Sequence, residues 1–267
     1  MEEWMKLGQQ LREFVNPSTL PVAVRFLKDD SEIPKKARRP LRDLHVKLAL
    51  CQGSAITRRY GWTLAFTRED VACAIAAHTY GWNQCTDQEG AVYFLTKMNY
   101  AVNDKAAERL LAELPLLHSD RMPIVVYSPL ERTKVVPDVV LIYVNPAQMM
   151  RLIHGATRVT GKPLESKFSG RAASCSEGVI GAYQSGDYQV IVPGNGDRVW
   201  GTCQDHEMIM AVPAGKLADL VEGLRETHAM GIRYPIPMYM RYEPRVGFTV
   251  PLADIFKKDE LDKLFAS

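Results

Sequence analysis

Val139-Val-Leu-Ile-Tyr-Val144, followed directly by Asn145-Pro146, gives the clearest structural signal in the chain. The six residues are almost free of polar side chains, which indicates a strand buried on both faces. Asn145 suits a helix N-cap and Pro146 suits the first helical position, so a helix to about Ala156 should follow. The segment 124–127 has the same apolar character. These two segments predict the centre of a buried sheet.

Helical and strand patterns alternate over the rest of the chain, without the regular rhythm of a doubly wound fold. The pattern predicts strands at 21–27, 62–66, 188–192 and 208–212, and helices at 2–15, 44–60, 67–80, 103–114, 174–186, 214–228 and 252–265. Two of these helices start with capping boxes, Thr67-Arg-Glu-Asp70 and Ser174-Cys-Ser-Glu177. We therefore expect an α+β or mixed α/β fold, with a mixed sheet flanked by helices.

The composition is that of an ordinary globular protein. The 267 residues are 46% hydrophobic and 24% charged, enough for a sizeable core in one domain over 1–267 or in two subdomains meeting near 115–145. The formal net charge of +2 gives no electrostatic case for a nucleic-acid partner. The first residues do not look like a signal peptide, and no apolar run approaches the ~18–20 residues that span a bilayer. A cytoplasmic protein without a membrane partner is expected.

The segment Pro193-Gly-Asn-Gly-Asp-Arg198 has two interpretations. Two glycines around an asparagine let a loop curl and point N–H groups at an anion, and the arginine adds a fork of donors. The same Asn-Gly pair is a strong hairpin signal between β-prone residues. The first interpretation predicts an anion or cofactor site that includes Gly194, Asn195, Gly196, Asp197 and Arg198.

Cysteine is the residue type that points most directly to chemistry. Five cysteines stand at positions 51, 73, 85, 175 and 203, and the odd number in a large chain argues against a disulfide framework. The capping box predicts Cys175 at the first position of a helix, where the dipole and free N–H groups favour a thiolate. Arg171 would add positive charge there, and Arg58 shares a helix face with Cys51.

Three thiolates from separate elements can hold a [4Fe-4S] cluster with one iron left open, or a zinc ion with an open fourth position. The spacings of 22 and 102 residues between Cys51, Cys73 and Cys175 match no ferredoxin or zinc-ribbon pattern. Cys85 and Cys203 lie in polar segments and could ligate as well. Each cysteine could equally be a small buried core residue.

The chain resembles the uncharacterised "archaeal conserved region" family, domain of unknown function 169. The segments that carry the resemblance are Leu20–Arg25, Cys51-Gln52, Arg58–Trp62, Glu69–Cys73, Val139–Ala147, Phe168–Arg171 with Cys175, Pro193–Arg198 and Gly231–Pro237. They cover most of the chain, which implies one family domain. The resemblance implies that cysteines recur at positions 51, 73 and 175, but not at 85 or 203. It also implies frequent occurrence in anaerobic bacteria and archaea, and it implies no reaction.

Three functions follow as hypotheses. The first is a cluster-binding protein for anaerobic redox or Lewis-acid and desulfuration chemistry, in which Arg58, Arg171 and the 193–198 loop hold a small anionic substrate. The second is a metal-free protein whose loop and arginines bind a flavin- or nucleotide-type phosphate. The third is an accessory protein of a redox complex, with Trp82, Trp200 and the proline-rich 234–251 segment as its partner surface. Homo-oligomer formation, and whether the protein is an enzyme, are left open.

Overall fold

The computed structural model describes residues 2–82, 88–117 and 124–236. The helices are α1 (Glu2–Val15), α2 (Pro40–Leu44), α3 (Leu50–Tyr60), α4 (Ala74–Thr79), α5 (Gln88–Lys97), α6 (Asp104–Ala112), α7 (Pro146–Thr160), α8 (Gly181–Ser185), α9 (Asn195–Val199) and α10 (Leu217–Ala229), with a π-helix over Ala173–Ile180. The strands are β1 (Val22–Leu27), β2 (Leu64–Phe66), β3 (Ile124–Pro129), β4 (Val139–Val144), β5 (Gln189–Ile191) and β6 (Met208–Pro213). The helix predicted at 252–265 lies outside the described residues.

These strands form one open sheet in the order β2-β3-β1-β4-β6-β5. Every pair of neighbouring strands is antiparallel, and parallel pairing within the described residues is limited to two isolated bridges. β4 lies between β1 and β6 and is buried along its whole length, as its apolar sequence predicts. Asn145 caps α7 by accepting a hydrogen bond from the backbone N–H of Gln148 at 2.9 Å. The expected mixed α/β class with helices flanking one sheet is confirmed, but the expectation of a mixed sheet is wrong, because all the described strand pairs are antiparallel.

Each face of the sheet carries its own layer of helices. Along β1, Ala23 packs with the side of α1, α7 and α10, while Val22 and Val24 pack with the opposite side. This alternation is the two-residue period of a strand covered on both faces. The opposite side contains α3, α4 and the π-helix, and the predicted cysteine site lies in this layer.

The α7–α10 pair packs backbone against backbone. A Cβ atom added at Gly223 would lie 2.0 Å from the carbonyl oxygen of Gly155, and one added at Gly155 would lie 2.9 Å from Leu224 Cγ. Glycine permits this approach at both positions, since a Cβ atom less than 3 Å from a non-bonded heavy atom is a steric clash. Among the helices of the described residues, none combines the length and apolarity that a membrane crossing requires.

The helix predicted at 44–60 is wrong over its first part. α2 ends at Leu44, His45 follows in the left-handed region with φ of 56°, and α3 begins only at Leu50. A left-handed residue interrupts right-handed helical winding. Cys51 therefore lies in the first turn of α3 rather than near the middle of a longer helix.

The single helix predicted behind Thr67 is also wrong. Arg68–Asp70 forms a short 3-10 turn, Val71 is extended, and α4 starts at Ala74 with Cys73 as its N-cap. Val71 leaves the helix because its neighbour Ala72 donates a backbone hydrogen bond to Leu48 at 3.0 Å, next to an isolated bridge between Leu48 and Val71. Cys73 consequently precedes the helix instead of lying in its second turn.

The helix predicted at 174–186 exists but starts differently. Residues 173–180 wind as a π-helix, and the backbone N–H of Glu177 donates to the carbonyl of Ala172 at 3.2 Å. Ser174 is not the N-cap, because its hydroxyl donates to the carboxylate of Asp197. Cys175 is thus the third residue of the helix, and the prediction that it occupies the first position is wrong.

The hairpin interpretation of 193–198 is wrong as well. Asn195–Val199 forms the short helix α9 with Gly194 as its N-cap, and β5 pairs with β6 through a longer connection. The carboxylate of Asp197 accepts a hydrogen bond from the backbone N–H of Gly194 at 3.0 Å, which closes the first turn. The segment is therefore a helical turn supported by its own aspartate.

Candidate functional site

Cys51, Cys73 and Cys175 line one cavity of about 370 Å³ on the helical layer of the sheet. They come from α3, the residue before α4, and the π-helix, so the fold brings together segments more than a hundred residues apart. The volume is at the lower end of the ~300–1,000 Å³ range of small-molecule sites. The cavity thus contains the three cysteines that the sequence singled out.

Cys51 is tied to the glycine-containing segment. Its thiol donates a hydrogen bond to the carbonyl of Gly196 at 3.4 Å. A Cβ atom added at Gly201 would lie 3.1 Å from Cys51 Cβ and 2.7 Å from the carbonyl oxygen of Asp197, so glycine at 201 lets the two segments approach. Burial, with smaller contributions from the charges of Asp197 and Cys73, raises the pKa of the Cys51 thiol far above its usual range.

Cys73 is the cysteine that lies at a helix N-terminus, where the sequence predicted Cys175. As the N-cap of α4 it lies beside the backbone N–H groups of Ile75 and Ala76. Burial raises the pKa of the Cys73 thiol, and these N–H groups oppose part of that rise.

Cys175 is buried, and its backbone carbonyl accepts a hydrogen bond from the Tyr80 hydroxyl at 3.1 Å. Burial raises the pKa of its thiol well above the usual value, and the charges of Asp197, Cys73 and Cys51 raise it further. Burial therefore favours the protonated thiol at all three positions. A metal would have to displace their protons, because the thiolate is the ligand.

The two remaining cysteines differ from these three. Cys203 is buried outside the cavity, where it accepts a weak hydrogen bond from Arg58 Nη2 at 3.9 Å. Burial raises the pKa of the Cys203 thiol to about 12. Cys85 lies outside the described residues.

Over the part of the chain that the structure describes, no group of three or more His, Cys, Asp or Glu residues is arranged so that it could hold a metal ion. Cys51, Cys73 and Cys175 border the same cavity without forming such a group. A zinc site needs all its ligands within ~2.3 Å of a single ion. The arrangement therefore differs from a preformed mononuclear zinc site.

The residues of the 193–198 segment divide between the cavity and its support. Asn195, Gly196 and Asp197 line the cavity. Gly194 packs closely against the backbone of Gly170, because a Cβ atom added at Gly194 would lie 2.5 Å from the Gly170 carbonyl oxygen. Asp197 is buried, and burial raises the pKa of its carboxyl group. The hydrogen bonds from Ser174 and from the Gly194 N–H lower this pKa, but by less than burial raises it.

The three predicted arginines lie in different places. Arg171 lines the cavity, with its guanidinium carbon 4.2 Å from the centre of the Tyr100 ring and Nη2 donating to the Tyr100 carbonyl at 2.6 Å. Arg198 lies outside the cavity and donates to the Gln204 carbonyl at 2.8 Å. Arg58 also lies outside, fully buried in an ion pair with Glu207. The structure thus brings Arg171 to the cysteines, but neither Arg58 nor Arg198.

An apolar wall completes the cavity, and most of it was not anticipated from the sequence. Phe94 of α5 and Met98, which follows α5, lie there together with Trp200, which follows α9. These side chains are 40%, 54% and 50% exposed, respectively. The helical spacing of positions 94, 95 and 98 is a signal for an apolar face, but it does not say what the face covers. Trp82, by contrast, is buried in the core.

Comparison with known proteins agrees with the sequence resemblance. The model of the family described as DUF169, uncharacterised ArCR, matches residues 10–223. The chain belongs to this family. The DUF169 protein is also similar to "Uncharacterized protein MJ0308" of Methanocaldococcus jannaschii, with 24% identity over 206 residues, covering 76% of this chain and 85% of the relative. No solved structure matches the chain.

Proposed function

We propose that this DUF169 protein binds a [4Fe-4S] cluster through Cys51, Cys73 and Cys175. The observation that supports the proposal is that these three thiols, from distant segments, line one cavity, whereas Cys203 does not. A cluster takes its thiolates on separate irons, so its ligands surround a space rather than a point. Three thiols that line one cavity could supply such ligands.

The chemistry of the cavity suits such a group. The three thiols would supply the ligands, and the apolar wall with Phe94 and Trp200 would keep water from it. When bound, a three-cysteine cluster would carry electrons or offer one iron without a cysteine ligand as a Lewis acid or sulfur acceptor, in anaerobic redox or desulfuration chemistry. The Gly196 carbonyl would lose the Cys51 thiol as its donor when that thiol ionises.

The test is a metal analysis of protein purified without oxygen. We expect about four irons and four acid-labile sulfides per chain, as the cluster formula requires, with the visible absorption of a cluster. Cys175→Ser should lose them. Cys203→Ser is the matched control, because that buried cysteine lies outside the cavity and its replacement should leave the iron content unchanged. No iron as isolated, and none taken up with iron and sulfide under reducing conditions, would contradict the proposal.

The metal-free phosphate-binding alternative has less support in the geometry. Of the arginines that it relied on, Arg58 and Arg198 lie outside the cavity with protein partners of their own, and Arg171 lines the cavity. A flavin or nucleotide released on denaturing iron-free protein would nevertheless establish this alternative.

A further inference from the structure

We infer that the cysteine cavity also takes a small monocarboxylate with an apolar body, held at its charged end by Arg171. This inference rests on the proposed function, because it names the class of substrate that the cluster-bearing cavity would receive. It is narrower than a general anion site, because it excludes phosphates. It also places the carboxylate of the ligand at Arg171 and the apolar body against the apolar wall.

Arg171 carries a charge without a counter-ion among the described residues. Among the described residues, Arg58 pairs with Glu207, Arg39 with Asp70 and Arg25 with Asp138, whereas Arg171, like Arg151 and Arg198, bonds to a backbone carbonyl. The described partners of Arg171 are the carbonyl and the ring of Tyr100. One of its five N–H donors is thereby used, which leaves donors for a ligand.

The position of this guanidinium is fixed before any ligand arrives. Stacking on the Tyr100 ring and the 2.6 Å hydrogen bond to the Tyr100 carbonyl hold it from two directions. A held guanidinium loses little freedom on binding, and its planar fork matches the two oxygens of a carboxylate.

The charges around the cavity favour one negative charge over two. Arg171 is the arginine among the residues that line the cavity, and Asp197 is an acidic residue in the same wall. Both carboxylate oxygens of Asp197 already accept hydrogen bonds, from the Ser174 hydroxyl and from the N–H groups of Ser174 and Gly194. A dianionic phosphate would face this carboxylate with one guanidinium to compensate, whereas a carboxylate matches a single guanidinium.

The apolar residues of the cavity wall favour a ligand with an apolar body. Phe94, Met98 and Trp200 face the cavity and remain half exposed to solvent. Large apolar side chains grouped at a concave site are typical of ligand binding, because covering them releases water from apolar surface. Because Arg171 lines the same cavity, the lining has one charged part and one apolar part. It therefore matches a short fatty acid or an aromatic acid.

The test is calorimetric titration of the anaerobically purified protein with hexanoate, hexan-1-ol and hexyl phosphate. Hexanoate should bind at one site per chain and at least tenfold more tightly than hexan-1-ol or hexyl phosphate. Arg171→Gln should weaken hexanoate binding at least tenfold and leave hexan-1-ol binding unchanged, while Arg171→Lys should restore part of the loss. Arg158→Gln is the matched control, because Arg158 is exposed on α7 outside the cavity.

Equal affinity for hexanoate and hexan-1-ol in the unmodified protein would overturn the inference, and this comparison does not depend on whether a variant folds. So would a change under twofold in Arg171→Gln, or tighter binding of hexyl phosphate. Measuring the iron content of the same preparation separates the two proposals. Protein that holds no iron as isolated or after reconstitution, but selects hexanoate, would refute the cluster alone, and iron-containing protein without that selectivity would refute the carboxylate alone.

Discussion

Arg58 and Glu207 form a two-pronged ion pair inside the protein, with nitrogen–oxygen distances of 2.6 and 2.9 Å. Their side chains are 0% and 4% exposed, and the Arg58 guanidinium carbon lies 4.1 Å from the centre of the Tyr143 ring. The pair connects α3, which carries Cys51, to the segment that precedes β6. Arg58 therefore supports the cysteine cavity from outside it.

Glu207→Gln should destabilise the protein by ~3–5 kcal/mol, because it leaves the buried Arg58 charge without a counter-ion. Urea unfolding at pH 7 measures the effect. Glu222→Gln is the control, since Glu222 pairs with Arg225 at the surface and its loss should cost under ~1 kcal/mol. A loss below 1 kcal/mol for Glu207→Gln would show that the pair contributes little.

Asp197→Asn should gain stability relative to the unmodified protein as the pH rises from about 4 to 7. Burial raises the pKa of Asp197 above its unfolded value, so its contribution is present below the unfolded pKa and is lost as the pH rises through the folded one. An asparagine keeps the shape and does not ionise. Urea unfolding at both pH values measures the difference.

Asp187→Asn provides the control. The hydrogen bond from Lys216 lowers the pKa of Asp187 from 3.8, so the contribution of this aspartate is present above that pH and is lost only below it. The relative stability of this variant should therefore change little between about pH 4 and 7, and the exposure of the pair keeps the whole effect small. If the stability of Asp197→Asn relative to the unmodified protein falls as the pH rises, the pKa of Asp197 is not raised by burial.

Gly223→Ala should lower the free energy of unfolding by ~1–3 kcal/mol or more, because the added methyl group meets the Gly155 carbonyl in the α7–α10 contact. Gly215→Ala is the control, since a Cβ there has no atom within 4 Å and should change stability by less than ~0.5 kcal/mol. Thermal unfolding of both variants checks the difference. Equal melting temperatures would mean that the helices can separate at no cost.

The cysteines of the metal-free protein should react with iodoacetamide at pH 8 at least tenfold more slowly than a free thiol. Burial raises the pKa of Cys51, Cys73, Cys175 and Cys203, so few thiolates are present, and access is restricted. The measurement needs a Cys85→Ser background and mass spectrometry of each site. Fast labelling of Cys175 in folded protein would show an activated thiolate instead.

The sheet and its helices were predictable because their signals are local. The apolar run of β4 and the Asn145 cap of α7 are written in neighbouring residues, and both are confirmed. Ser174 failed as a cap because its hydroxyl bonds to Asp197, which lies 23 residues away. No local pattern contains such a partner.

The candidate site was likewise predictable only where its signals are local in the sequence. Cysteine chemistry and the family resemblance selected residues 51, 73 and 175, and these line one cavity. Arg58 was expected to hold an anion, but its partner Glu207 is 149 residues distant in the chain and could not be recognised from spacing. The apolar wall was missed for that reason too, since Phe94 and Trp200 come together only through folding.

The π-helix around Cys175 makes its segment tolerant of a change in length. In a π-helix the hydrogen bonds reach back five residues, so the turn holds one residue more than an α-helical turn. Removing one residue between Ala172 and Cys175 would return this turn to α-helical winding and leave the side chains that follow pointing in their present directions. Two sequences that differ by one residue in length at this turn would thus place the rest of the helix in the same way.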